Sequence, residues 1–229
     1  MNAAQPAPRH RWYAAFYARV IEPSDRKTMG PLRSIAAGGA HGHVFEPGAG
    51  TGANLTYYDW SKVDRLDLAE PDLYMRQHLG PRIAALPAEV RARIHLSDAP
   101  AEALPFEDAT FDCAVVTLVL CSVEDLAKAL SELRRVLKPG GELRLIEHVA
   151  AEGAWGKVQR VIQPVCGWMS GECRLHRHTE ARTSRRGLRR QRHGAHEARR
   201  PDFPHLRGHR YAAQLTSSVT RLRHHRSHR

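Results

Sequence analysis

Three glycines, spaced two residues apart, follow a short apolar stretch in the first quarter of the chain. Gly48, Gly50 and Gly52 stand between residues 43–46, which predict a strand, and residues 53–60, which predict a helix. Glycine is needed where the backbone takes a positive φ or approaches a ligand closely, and backbone N–H groups at such a turn can donate to a ligand carboxylate. The strand–turn–helix context therefore predicts a ligand-binding loop.

A carboxylate follows the next predicted strand, residues 63–69. Glu70 lies 22 residues after Gly48, and a carboxylate at this point can accept hydrogen bonds from both hydroxyls of a ribose. Nicotinamide-binding loops share this feature, and the pattern G-x-G-x-x-G is met if Ala53 replaces its third glycine. The loop and Glu70 together predict a nucleoside cofactor without choosing which one.

The elements that must position these residues alternate between strands and helices. Strands are predicted at residues 43–46, 63–69, 94–96, 111–120 and 142–148, and helices at 11–21, 25–37, 53–60, 73–86 and 124–136. This alternation is typical of an α/β fold with a doubly wound, mostly parallel sheet, in which ligands bind beyond the carboxyl ends of the strands. The first helix carries an apolar stripe at Trp12, Phe16 and Val20, which we expect to pack on the core or form a lid.

Two further stretches narrow the choice of cofactor. Residues 100–112 resemble the third signature of class I S-adenosylmethionine-dependent methyltransferases. Residues 137–141 resemble the turn that, in this family, ends the helix after the fourth strand. With the glycine loop and Glu70 these make four motifs in that family's order, over residues 40–165. Within the class, three stretches are similar to the methyltransferase-like family that contains alkyl-thiol S-methyltransferases: residues 50–54, 117–123 and 147–152. Ubiquinone/menaquinone C-methyltransferases and phospholipid N-methyltransferases share the same core.

The resemblance implies S-adenosyl-L-methionine as cofactor and a role for each matching residue. The methionine part would be held by Glu46, Gly48, Gly50, Thr51 and Gly52, and the ribose by Glu70. The adenine would be framed by Pro100 and Ala101, although the family often has Asp, Asn or Ser where this chain has Pro100. Thr117 would face the methionine part near the transferable methyl group.

Methyl transfer to a thiol needs a base, because the thiol must lose its proton. His148, at the end of the fifth predicted strand, is the candidate catalytic residue, and the alternative is a structural histidine hydrogen-bonded at a strand end. Cys113, Cys121, Cys166 and Cys173 form no CxxC pair, so we expect reduced thiols and no metal.

Charge is distributed unevenly along the chain. The formal net charge is +11, yet residues 172–229 contain 16 arginines, no lysine and 4 acidic residues, which leaves −1 for the first 171 residues. We therefore predict three parts: N-terminal helices (1–39), a methyltransferase domain (40–171) and an Arg/His-rich tail (172–229). No apolar strands are visible in the tail to complete the C-terminal edge of the sheet.

Three interpretations of the tail stay open. It is a disordered basic arm that contacts nucleic acid, an arm for an anionic membrane surface, or a segment translated from a shifted reading frame. The absence of lysine among so many arginines favours the shifted frame.

The sequence contains no signal peptide and no run of about 20 apolar residues, which predicts a cytoplasmic protein. The expected activity is methyl transfer to a small or lipophilic acceptor, such as a thiol, a quinone precursor or a lipid amine. The alternatives are a cofactor-binding but inactive domain and an RNA methyltransferase that uses the basic tail.

Overall fold

The computed structural model describes residues 11–149 and 210–216, which contain one six-stranded sheet. The strands are β1 (Gly42–Pro47), β2 (Val63–Ala69), β3 (Ile94–Ser97), β4 (Phe111–Thr117), β5 (Leu137–Val149) and β6 (Arg210–Thr216). Their order across the sheet is β3-β2-β1-β4-β5-β6; β1 to β5 run parallel and β6 pairs antiparallel with β5. This confirms the predicted doubly wound, mostly parallel sheet.

The chain reverses its direction of travel across the sheet between β1 and β4. From β1 it proceeds outward through β2 to β3, and it then returns to the other side of β1 with β4 and β5. The carboxyl ends of β1 and β4 therefore flank the switch point, which is where open α/β sheets bind their ligands.

Apolar side chains form two core clusters that share the strands. Val44 and Val115 belong to one cluster, and their neighbours Phe45 and Val116 belong to the other. Adjacent residues of a strand point to opposite faces, so the sheet is buried on both sides. This explains why β4 is almost continuously apolar.

Helices cover the two faces of the sheet. They are α1 (Arg11–Phe16), α2 (Glu22–Ala36), α3 (Leu73–Ala84), α4 (Ala88–Arg91) and α5 (Leu126–Val136). Helices α3 and α5 begin at Asp72 and Asp125, whose carboxylates each accept two backbone N–H bonds from the first turn. Both lie within the ranges predicted from the apolar spacing.

The N-terminal helices differ from the prediction in two respects. Instead of two separate helices, a π-helical turn (Tyr17–Ile21) joins α1 directly to α2. The apolar stripe of the first helix is also not packed: Trp12 is 85% exposed, Phe16 42% and Val20 53%. The prediction that it packs on the core is wrong, because Ala14 supplies the buried contact of α1 instead.

The predicted helix at residues 53–60 is absent. The segment forms consecutive turns, in which the N–H groups of Gly52, Leu55 and Tyr57 donate to carbonyls three residues earlier. A helix requires donation four residues back. The side chains of Asn54 and Tyr58, described below, hold this segment against the strand ends.

The tail contributes one strand that the sequence analysis did not predict. β6 lies at the start of residues 211–220, a window of ten residues without a charged or histidine side chain. That window is long enough to pair with β5, whereas the surrounding arginines had suggested that no strand was present. The rest of the tail lies outside the described residues.

Cys113 and Cys121 are free and buried, as predicted, whereas Cys166 and Cys173 fall outside the described residues. Within residues 11–149 and 210–216, no three His, Cys, Asp or Glu side chains are grouped so that they could hold a metal ion. None of the helices in these ranges is long and apolar enough to cross a membrane.

Candidate active site

The carboxyl ends of β1 and β4 are joined by one side-chain amide. Glu46 lies at the end of β1 and Thr117 is the last residue of β4. The Nδ2 group of Asn54 donates to Glu46 Oε1 at 2.8 Å and to Thr117 Oγ1 at 3.0 Å. Asn54 therefore brings Glu46 together with Thr117, which is 63 residues further along the chain than Asn54, at the switch point of the sheet.

Glu46 is a buried carboxyl group, only 3% exposed. Its second oxygen, Oε2, accepts a hydrogen bond from the Tyr58 hydroxyl at 2.5 Å. Burial raises the pKa of Glu46 to about 7, although the bonds from Tyr58 and Asn54 and the nearby charge of Arg33 act in the opposite direction. The carboxyl group therefore changes its charge near neutral pH.

The three glycines of the loop all have positive φ, as the sequence predicted for a ligand-binding turn: +61° at Gly48, +57° at Gly50 and +85° at Gly52. A Cβ at Gly48 would lie 2.6 Å from Val119 Cγ2, so the loop packs directly on the segment after β4. A Cβ at Gly50 would meet nothing closer than 4.0 Å. The loop is thus tightly packed on one side and open at its middle glycine.

Glu70 supports the loop from the end of β2. Its Oε2 accepts the N–H of Gly50 at 2.7 Å and its Oε1 accepts the N–H of Asp72 at 2.9 Å. Burial raises its pKa, and the two backbone N–H groups partly offset that rise. Each oxygen keeps a second lone pair, so Glu70 can still accept bonds from a ligand's hydroxyls.

Helix α2 contacts this loop through two buried charged residues that the sequence analysis missed. Arg33 Nη1 donates to Asn54 Oδ1 at 2.7 Å, and Arg33 Nη2 donates to Asp25 at 3.0 Å. Eleven residues earlier, Glu22 Oε2 accepts the hydroxyl of Thr51 at 2.6 Å. The side chain of Thr51 is therefore directed to Glu22.

Glu22 has a second partner on α3. Its Oε1 accepts from Arg82 Nη1 at 2.6 Å. Burial opposes ionisation of Glu22, but the bonds from Arg82 and Thr51 outweigh it and lower its pKa. Helices α2 and α3 are therefore linked beside the glycine loop by a charged group.

Buried polarity is concentrated in this one region. Among the described residues, seven polar or charged residues are buried: Glu22, Arg33, Glu46, Thr51, Asn54, Asp67 and Glu70. All except Asp67 belong to the network around the glycine loop. Burying polar groups is costly, so their accumulation at the switch point makes this region the candidate functional site.

The remaining predicted residues lie at more varied positions. Pro100 is exposed, and its carbonyl accepts the N–H of Ala103 in a turn beyond β3. Ala101 is buried in the core cluster that contains Phe45. His148 lies within β5 by its backbone, and its side chain is outside what the structure describes. The adenine and base assignments stay predictions.

The residues present fit a cationic nucleoside cofactor such as S-adenosylmethionine. Three buried carboxyl groups (Glu22, Glu46 and Glu70) lie around the glycine loop, whereas one buried guanidinium, that of Arg33, belongs to the same network. Open space lies at Gly50, next to Glu70. A site with an excess of carboxylates and a glycine cradle is complementary to a positively charged ligand that also carries hydroxyl groups.

Comparison with known proteins gives a consistent result. A family model described as a methyltransferase domain matches residues 45–145. The thiol S-methyltransferase TMT1B of Homo sapiens is 32% identical over 164 residues, which are 70% of this chain and 66% of that protein. The chain thus spans about two thirds of that relative's length.

Two other similarities cover different parts of the chain. The ubiquinone/menaquinone biosynthesis C-methyltransferase UbiE of Pasteurella multocida is 48% identical over 58 residues, 25% of this chain and 22% of that protein. The solved structure of a putative methyltransferase from Bacillus halodurans C-125 superposes with a TM-score of 0.60 at 18% identity. That superposition covers 72% of this chain and 70% of the other.

Proposed function

Because this chain belongs to the family of S-adenosylmethionine-dependent methyltransferases, we propose that it transfers a methyl group from S-adenosyl-L-methionine to a small or lipophilic acceptor. The observation that carries the proposal is the convergence of Glu46, Glu70 and the glycine loop at the switch point of the sheet. These are the strand ends from which a nucleoside cofactor can be held at both its charged and its hydroxylated parts.

The bound cofactor supplies an activated methyl group on a positively charged sulfur, so the protein's contribution is mainly placement. Glu46, in its ionised form, attracts the cationic methionine part. The remaining lone pairs of Glu70 would accept the ribose hydroxyls, and the N–H of Gly50 keeps this carboxylate in place at 2.7 Å. Gly48 lets the loop pack directly on Val119, which follows β4, because a Cβ there would lie 2.6 Å from Val119 Cγ2.

The identity of the acceptor is proposed from the relatives. TMT1B is named as a thiol S-methyltransferase and UbiE as a C-methyltransferase of quinone biosynthesis. We therefore propose a thiol or a quinone precursor as acceptor, and add a lipid amine because the sequence also resembles phospholipid N-methyltransferases. A thiol acceptor requires a base, for which His148 is the proposed residue.

The test is a methyl-transfer assay of the purified chain on alkyl thiols, quinone precursors and lipid amines, with calorimetric measurement of S-adenosylmethionine binding. Cofactor binding together with methylation of one acceptor class would support the proposal. Absence of cofactor binding would overturn it.

The same assay should include a version of the gene in which a shifted reading frame after about residue 176 is restored. The basic tail follows a core of near-neutral charge, and this contrast motivates the comparison. Higher activity of the restored version would support the shifted frame. Equal activity, with no better family match in another frame, would contradict it.

A second candidate function is cofactor binding without catalysis. It is suggested by residues 172–229, whose sequence does not show the apolar strands expected of the family. Binding of S-adenosylmethionine with no transfer to any acceptor of the panel would favour it. An RNA methyltransferase is a third candidate, based on the +12 charge of residues 172–229. RNA binding and RNA methylation by the full chain, with both lost on removal of residues 176–229, would support it.

A further inference from the structure

Helix α2 contacts the glycine loop through one face. Glu22 and Arg33 are eleven residues apart, which on an α-helix is three turns plus roughly 20°, so their side chains project in nearly the same direction. They bind Thr51 and Asn54, which are three residues apart in the loop. An N-terminal helix outside the alternating strands thus holds the loop at two points.

On the basis of the proposed function, we propose that Arg33 and Asn54 are positioning residues that fix Glu46 and Thr117 in the arrangement that receives the cofactor. Helix α2 would then be part of the cofactor site and not merely a cover for the sheet. Neither residue needs to touch the reacting atoms for this role.

The first step of the argument is the orientation of the Asn54 amide. A guanidinium can only donate hydrogen bonds, so the atom that faces Arg33 Nη1 at 2.7 Å must be the amide oxygen. Asp25 holds the same guanidinium at 3.0 Å, and Arg33 is 5% exposed. The planar, doubly bound arginine therefore leaves the amide a single orientation.

The second step concerns the NH2 group of that amide. With the oxygen committed to Arg33, the NH2 group faces the strand ends, and it donates to Glu46 and Thr117 at 2.8 and 3.0 Å. Tyr58 occupies the other oxygen of Glu46 at 2.5 Å. Each carboxyl oxygen has a partner, so Glu46 cannot rotate without breaking a bond.

The third step concerns charge. The groups that face Glu46 are Arg33 from α2, Tyr58 from the turns after the loop and Glu70 from the end of β2. Arg33 is the cation among them, and both its charge and the Asn54 hydrogen bond lower the pKa of Glu46. Loss of either would leave Glu46 protonated to a higher pH, and a protonated carboxyl group does not attract a cationic cofactor.

The experiment measures S-adenosylmethionine binding by calorimetry between pH 6 and 8.5 for the wild type, Arg33→Met and Asn54→Ser. We expect both variants to bind roughly fivefold more weakly at pH 7, because a rise of one unit in the pKa of Glu46 lowers its ionised fraction at that pH from about one half to about one tenth. The pH at which affinity reaches half its maximum should rise accordingly. Arg33→Lys keeps the positive charge but lacks the planar guanidinium that bonds both Asn54 and Asp25. It should therefore shift this midpoint less than Arg33→Met. Asn54→Ser retains the Arg33–Asp25 pair, so it remains informative if Arg33→Met does not fold.

The matched control is Arg144→Met. Arg144 also ties α2 to the sheet, through the carbonyls of Ile35 and Ala36 at 2.8 and 2.7 Å in the same last turn as Arg33, but its side-chain bonds go to these carbonyls and to Glu142, not to Asn54. If Arg33 merely anchored α2, the control would shift the pH midpoint as much as Arg33→Met does. That result, or unchanged affinity and midpoint in folded Arg33→Met and Asn54→Ser, would overturn the proposal.

Failure of the proposed function would be recognised separately. The unfolding stability of the cofactor-free protein also follows the titration of Glu46, so its pH dependence reports the same network without any ligand. A shift of that dependence in Asn54→Ser, with no cofactor binding by any protein, would support the network and overturn the proposed function alone.

Discussion

Glu46 is the residue whose titration has the clearest consequence for binding. Burial raises its pKa to about 7, and a cationic cofactor favours the ionised form, so binding below that pH must release a proton. We expect the S-adenosylmethionine affinity of the wild type, divided by that of Glu46→Gln, to rise roughly tenfold from pH 6 to pH 8 and then to level off. Calorimetry in buffers of different ionisation enthalpy would measure both the affinity and the released proton.

Glu46→Gln is the control for this prediction. The amine of the ligand itself titrates near pH 8, but it does so in both proteins, so the difference between them isolates Glu46. An equal pH dependence in both would contradict the assignment. In the cofactor-free protein the sign is reversed: the raised pKa stabilises the fold fully below about pH 4.5, and this contribution is lost as the pH rises through 7.

The glycines at 48 and 50 offer a matched comparison of packing with backbone conformation. Both have φ near +60°, but only at Gly48 would a Cβ meet another group, Val119, at 2.6 Å. We expect Gly50→Ala to cost about 1 kcal/mol of unfolding free energy from the backbone, and Gly48→Ala about 2 kcal/mol more because Val119 must move. Urea unfolding of both variants measures this, and equal losses would mean that Val119 yields freely.

His148 carries the prediction about the chemical step. If it is the base, His148→Ala lowers turnover of a thiol acceptor by about 100-fold or more and leaves cofactor affinity unchanged, since general bases contribute about that much. Steady-state kinetics at several pH values and calorimetry measure the two effects. Unchanged turnover would show that His148 has only a structural role.

At the residue scale, the sequence predicted the carboxylates and the glycines but not their supporting side chains. Glu46 and Glu70 were recognisable because each stands at the carboxyl end of a predicted strand. Arg33 and Tyr58 were not, since nothing in the local sequence shows which charged or phenolic group of a helix or turn will point inward. The spacing of Glu22 and Arg33, which places them on one face of a helix, could have indicated that both point toward the sheet. That inference requires a continuous helix through Pro23 and Pro31, which the sequence does not suggest.

At the element scale, strands and capped helices were predictable and irregular segments were not. β2 begins and ends where it was predicted, at residues 63 and 69, because apolar spacing and turn residues mark its bounds. The helix predicted at residues 53–60 failed because Asn54 and Tyr58 hold the chain in turns through bonds to Glu46. Long-range bonds of this kind override local helix preference.

Helix α5 allows a test of local stabilisation that is separate from function. Asp125 Oδ1 accepts the N–H groups of Ala127 and Lys128 at 2.8 and 3.1 Å. We expect Asp125→Ala to lower the free energy of unfolding by about 1 kcal/mol, the usual contribution of an N-cap, with no change in cofactor affinity. Asp125→Asn, which keeps an acceptor, is the matched control; a comparable loss there would mean that charge, and not the cap bond, is responsible.

At the scale of the whole molecule, the chain combines a near-neutral folding unit with a strongly basic C-terminal region. Residues 1–171 carry a formal charge of −1 and residues 172–229 carry +12. The overall charge therefore describes neither part, and any attraction to nucleic acid or anionic surfaces should weaken steeply as salt is added. The cofactor site lies in the near-neutral part.

Cofactor binding should stabilise the whole molecule by mass action. At a concentration 100 times its Kd, S-adenosylmethionine is expected to add about 2.7 kcal/mol to the free energy of unfolding, because it binds only the folded chain. Thermal unfolding with increasing cofactor measures this. Glu46→Gln should require more cofactor for the same stabilisation, and an equal response in both proteins would contradict a role for Glu46 in binding.

The hydrogen bond from the N–H of Gly50 to Glu70 has a consequence for observing the protein in solution. In the free protein this amide already has a carboxylate acceptor at 2.7 Å, so its exchange with deuterium requires the loop to open. Its exchange rate therefore measures how often the loop opens. The rate should fall when a ribose occupies the other lone pairs of Glu70. The NMR signal of this one amide would then report cofactor binding, on which methyl transfer depends.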